Sequence, residues 1–200
     1  MPHTMATEAA DVLAVAAQLS HPLLVGHSLG CGGRTGGRAC LARSVAAMVL
    51  YQPPLAPTSP VAGEAGTRAR AALDAGDPVL AMEIHMRDVV RLPAADVTAM
   101  FAIPEARAQF ARFAAAQIAD NEALDALGVG IERYAALDLT TVLIEGERSS
   151  PHLRQRLADL AATLPHVERI VTLAREGHIA HMTAPQRLAD VIREFARRVL

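Results

Sequence analysis

Residues 22–30, Pro-Leu-Leu-Val-Gly-His-Ser-Leu-Gly, constrain this chain more than any other stretch, because an apolar strand runs straight into Gly26-x-Ser28-x-Gly30. A serine on a sharp strand-to-helix turn adopts strained backbone angles, so the positions two residues either side of it must be nearly free of side chain. The pattern is the outline of a nucleophile elbow. Ser28 would stand above the sheet edge, and the backbone N–H of Leu29, opening the next helix, would face a developing oxyanion. A serine hydroxyl is a weak nucleophile at neutral pH. It needs a base within hydrogen-bond reach, usually a histidine oriented by a third polar group.

The rest of the chain alternates strand and helix around that point. Residues 6–19 read as an amphipathic helix with Val12, Leu13, Ala16 and Leu19 on one face, and His21-Pro22 deliver the chain into the elbow strand. Further strands are expected at residues 45–51, stopped by Pro53-Pro54, at 140–144, bounded by Gly146, and at 169–173. Helices are expected at 152–164 and at 185–199, the latter with Leu188, Val191, Ile192, Phe195 and Val199 inward. This order predicts an α/β fold with a parallel sheet. Residues 55–135 break the rhythm: segments 68–73, 78–90, 94–101 and 105–118 read as helices punctuated by Gly76, Pro93 and Pro104. Met82, Ile84, Met86, Phe101, Phe110 and Phe113 could line a pocket there, although packing the helices together is the expectation for most of them. Residues 31–38 should open the helix behind Ser28 yet carry four glycines. At about 1 kcal/mol per interior glycine, that helix is intrinsically poor.

With 200 residues, 52% of them hydrophobic, the chain can bury one substantial core and reads as one domain. Net charge is −2, lysine is absent and the arginines form no stripe, so neither nucleic acid nor an anionic membrane is a favoured partner. A small, uncharged or weakly polar substrate is expected. Cys31 and Cys40 have neither metal-type spacing nor a secretory context and read as reduced thiols. No signal-type segment or membrane-length apolar run is visible, which gives a cytoplasmic protein by default.

Four segments carry a family resemblance: VGHSLG at 25–30, VLYQPP at 49–54, VLIEGERSSP at 142–151 and EGHIAHMTAP at 176–185. In these the chain resembles the C-terminal two-thirds of an α/β-hydrolase, with residues 1–54 and 136–200 as part of the core and 55–135 as a helical cap insertion. The resemblance implies a serine hydrolase acting on an ester or similar acyl bond of a small apolar substrate, with no metal or organic cofactor. Ser28 would attack and His178 would serve as base, then acid. His27 occupies the variable elbow position and is expected to pack, while His152 and His181 fall near helix starts.

The acid is the departure. The family places it after the second or third strand counted here, and those places hold Gln52 and Ser149, neither of which ionises at neutral pH. Related sequences resembling VLYQPP have a glutamate where Gln52 stands. Replacing a triad acid by its amide costs about 10⁴ in kcat, partly through the wrong histidine tautomer. Glu147, in the turn past the third strand, is therefore the first choice to orient His178, with Glu145 the alternative. The family's glycine-rich loop upstream of the elbow donates a second oxyanion N–H, worth roughly 10²–10³ in rate. The chain begins after that place, and Met1 and Met5 fall within what resembles a mid-protein helix, so an N-terminally truncated member is expected. The elbow strand would then be an edge, open to self-association. The same departures support a second reading, a catalytically impaired homologue that is inactive or only binds a small ligand.

Overall fold

The computed structural model describes residues 3–28 and 44–200. Leu29, Gly30, both cysteines and the glycine-rich residues 31–38 lie outside that range. In chain order the described elements begin with α1 (Met5–Ala16), β1 (Leu23–His27) and β2 (Ala47–Tyr51). Four helices follow: α2 (Gly63–Asp74), α3 (Pro78–Ile84), which continues as a π-helical turn (His85–Val89), α4 (Ala94–Ala102) and α5 (Pro104–Asp125). The chain then returns through a 3₁₀ turn (Glu132–Tyr134) to β3 (Thr141–Gly146), α6 (Pro151–Thr163), β4 (Val167–Leu173), the short α7 (Ala180–Thr183) and α8 (Pro185–Val199).

The four strands form one parallel sheet in the order β1-β2-β3-β4. β2 and β3 are buried along their whole length, as expected of central parallel strands covered on both faces. Side-chain alternation divides the core in two. Met48, Leu50 and Leu143 point into a cluster completed by Ala16, Leu157, Leu160 and Leu164, which docks α1 and α6. Ala47, Val49, Tyr51, Val142 and Ile144 face the other way, against Phe195 and the α8 residues Leu188, Val191, Ile192 and Val199. β1 lies at one edge of the described sheet, with Val25 46% exposed.

The first helix ends three residues before its expected end. The N–H groups of Gln18 and Leu19 bond back three residues, to Val15 and Ala16, and this tightened turn leaves Leu19 exposed instead of on the inward face.

Residues 58–129 form a compact helical unit of their own, joined by residues 3 and 4. Ile84 and Met82 sit in its two apolar clusters, Phe101 is buried with Met82, and Met86 and Phe110 pack against them, whereas Phe113 is half exposed beneath the Arg112 guanidinium. The Asp125 carboxylate accepts the N–H groups of Val61, Ala62 and Gly63, so the end of α5 caps the start of α2. The longest helix runs past Ile118 to Asp125, because the polar Asn121 that would break an apolar stripe is buried and bonded to His85, 2.9 Å away.

Burial holds His85 down to about 4. Its neutral form is what the fold accommodates, so its contribution to stability is complete above the ordinary value near 6.5 and is lost as pH falls toward 4. A shift of that size corresponds to about 3 kcal/mol. Urea titrations at pH 7 and pH 4.5 should show the loss, and a His85→Leu/Asn121→Leu double variant, which removes both polar partners, should flatten it.

Candidate active site

The carboxyl ends of the strands assemble the site. In the β1–β2 register His27 is opposite Tyr51, so the next residues, Ser28 and Gln52, emerge side by side above the sheet. Both take left-handed backbone angles, φ +49° for Ser28 and +43° for Gln52. Such angles cost a non-glycine residue of order 1–3 kcal/mol, which is the strain the Gly-x-Ser-x-Gly spacing foretells at position 28. The third component arrives on the loop after β4, where His178 is 7% exposed. Its Nε2 lies 3.2 Å from the Ser28 hydroxyl oxygen and its Nδ1 lies 3.0 Å from Gln52 Oε1. An amide oxygen can only accept, so Nδ1–H donates to Gln52 and the Nε2 lone pair is left facing the serine hydroxyl. Ser149 Oγ–H donates to the same Gln52 oxygen at 2.9 Å. The two places where a carboxylate is expected thus meet in space as a glutamine and a serine. Gln52 is 1% exposed, and its Nε2 has no partner among the described residues.

The carboxylates of the third strand are used otherwise. Glu147, expected to orient His178, accepts the backbone N–H of Arg175 at 2.6 Å, and Gln52 takes the position on Nδ1. Past the strand the chain turns at residues 147 and 148, with the Ser149 N–H on the Gly146 carbonyl, and the Glu147 side chain reaches the base of the histidine loop. Glu145 accepts from the Arg154 guanidinium, 3.2 Å at each oxygen, and from Thr172 Oγ1 at 3.0 Å. His152 lies in the first turn of α6 and His181 in α7. The His181 ring packs on that of His27 at 4.5 Å. Leu29 and Gly30 fall outside the described residues.

Gly146 ends β3 where the histidine loop crosses it, and Arg148 N–H donates to the Glu176 carbonyl at 2.8 Å. A Cβ at Gly146 would collide with the carbonyl oxygens of Gly177 and Glu176. Gly146→Ala should therefore displace the loop, with a stability loss of about 1–3 kcal/mol by urea denaturation and a matching fall in any activity that uses His178.

A profile of the alpha/beta hydrolase family matches residues 1–191. The chain belongs to the alpha/beta hydrolase family. Among solved structures it is similar to an alpha/beta hydrolase from Sphaerobacter thermophilus, with 23% identity and a TM-score of 0.76 over 98% of this chain and 75% of that one. It is also similar to a thermophilic esterase from Thermogutta terrifontis, with 23% identity and a TM-score of 0.65 over 100% of this chain and 75% of that one. A bromoperoxidase from Bacillus anthracis gives 14% identity and a TM-score of 0.70 over 98% and 75%. Comparison with curated proteins gave no match.

Two further rings, those of His27 and Tyr51, stand beside His178 at the strand ends of this alpha/beta hydrolase. His27, Tyr51 and His178 lie with ring centroids 4.8 Å (His27 to each of the others) and 6.1 Å apart. Burial lowers His27 to about 4, with the nearby His181 acting in the same direction and the hydrogen bond to the His178 carbonyl opposing it. His27 is therefore neutral at pH 7, and its one N–H, on Nε2, donates to the His178 carbonyl at 2.8 Å. Burial pushes the Tyr51 phenol up to about 12, so it keeps its proton. Burial also lowers His181. Sequence reasoning missed Tyr51. The available signal was its place beside Gln52 at the end of a strand, opposite His27. Among the described residues of this hydrolase, no helix is long and apolar enough to cross a membrane.

Proposed function

We propose that this alpha/beta hydrolase cleaves an ester or similar acyl bond of a small apolar substrate through Ser28 and His178, with the neutral amide of Gln52 in the orienting position. The observation that carries the reading is the 3.2 Å approach of His178 Nε2 to the Ser28 hydroxyl, with Nδ1 held by Gln52 Oε1. Ser28 Oγ attacks the acyl carbonyl as its proton passes to Nε2. The resemblance gives the tetrahedral oxyanion to the backbone N–H of Leu29, which lies outside the described residues. The imidazolium then protonates the leaving alkoxide, an acyl ester remains on Ser28, and water activated by the same histidine releases the acid. The esterase among the similar structures is in keeping with this chemistry. In this reading residues 55–135 are the helical cap insertion of the family.

Gln52 makes the base weak. It fixes the productive tautomer but adds no negative charge to stabilise the imidazolium. That deficit favours a second reading, in which the fold retains a small-ligand site and has lost turnover. Hydrolysis of p-nitrophenyl acetate by the parent and by Ser28→Ala separates the two. Turnover that disappears in the folded variant supports the hydrolase. Equal background rates in both support the binding protein.

A further inference from the structure

We infer that Tyr51 and His27 are positioning residues that clamp the backbone on either side of His178 and so hold its imidazole against Ser28. The loop from residue 174 to 179 has no regular secondary structure, so no ladder fixes it. Glu147 and the Arg148 N–H hold residues 175 and 176 at its base, and two further side chains hold it at His178. The Tyr51 hydroxyl donates to the Gly177 carbonyl and accepts the Ala180 N–H at 3.2 Å, bridging the segment that contains His178. His27 Nε2–H donates to the carbonyl of His178 itself at 2.8 Å. Both come from paired positions at the ends of adjacent strands, and Tyr51 is 1% exposed. Each strand end therefore supplies two consecutive side chains with different tasks. Ser28 and Gln52 meet the imidazole, while His27 and Tyr51 meet the peptide groups that carry it. The strained left-handed angles at 28 and 52 turn each pair apart so that both tasks are reached.

The inference rests on the reading of His178 as the base, but the clamp has a readout of its own. A displacement of about 1 Å between reacting groups costs on the order of 10² in rate. In Tyr51→Phe and in His27→Leu, kcat for p-nitrophenyl acetate should fall 10- to 100-fold with KM within twofold. The ¹⁵N-edited NMR signals of the His178 ring should lose the single Nδ1–H tautomer. His27→Gln, whose amide N–H reaches the same carbonyl, should restore both readouts. Folded Tyr51→Phe and His27→Leu proteins with unaltered His178 ring signals and unaltered kcat would overturn the clamp. A parent without turnover whose His178 signals still change in the variants would uphold the clamp and remove the hydrolase reading alone.

Discussion

Gln52→Glu is expected to raise kcat for a simple aryl ester by about 10²–10⁴-fold, with KM little changed. The upper figure is the cost of exchanging a triad acid for its amide. Electrostatics gives a similar scale: a carboxylate and an imidazolium about 4 Å apart attract by about 4 kcal/mol at an effective dielectric near 20, and each 1.36 kcal/mol is tenfold in rate. The shape of the site needs no change, because the amide oxygen already sits 3.0 Å from Nδ1 and 2.9 Å from the Ser149 hydroxyl. Ser149→Asp is the informative contrast. That carboxylate would meet Gln52 and not the imidazole, so it should give far less than Gln52→Glu. Steady-state kinetics of the parent and the two variants at pH 8 would decide this, and a Gln52→Glu rate within twofold of the parent would exclude Gln52 from the orienting position.

His178→Ala is expected to lose about 10² in kcat from the parent and at least 10⁴ from the Gln52→Glu background. Groups that act as a unit are grossly non-additive. In a serine protease triad, removing the serine or histidine costs only about two orders of magnitude more than removing the acid alone. A base already deprived of its counter-charge therefore has less left to lose. His181→Ala should lose far less than His178→Ala in both backgrounds, since it lies in α7 and its ring packs on His27. Equal losses on removing His178 from the two backgrounds would show that residue 52 does not act through the imidazole.

The strands and the strained backbone at Ser28 were legible because their signals are local. Alternation of strand and helix gave the parallel sheet, and the Gly26-x-Ser28-x-Gly30 spacing anticipated the left-handed backbone at Ser28. The phase of the α8 apolar residues also matched the side that packs on Phe195's cluster. The partner of His178 was not legible in the same way. Charge and a place in the turn past the third strand favoured Glu147, but a side chain's reach is set by the course of that turn, and there Glu147 accepts the Arg175 N–H. Gln52 and Ser149 are 97 positions apart, and nothing local in either segment announces that the Ser149 hydroxyl bonds the Gln52 oxygen. The full length of α5 was hidden for a related reason: the partner of the buried Asn121 is His85, 36 positions away, and nothing local announces it. Leu19 failed through a single tightened turn, which shifts the helical phase by less than a residue and is invisible to periodicity.

The most direct test of the account is the reaction of the purified chain with a fluorescent fluorophosphonate, followed by peptide mapping of the parent and of Ser28→Ala. One phosphonylated site is expected in the parent, on Ser28, with labelling accelerated by Gln52→Glu and absent from Ser28→Ala. A folded parent that takes no label, or one that is labelled equally after Ser28→Ala, would contradict it.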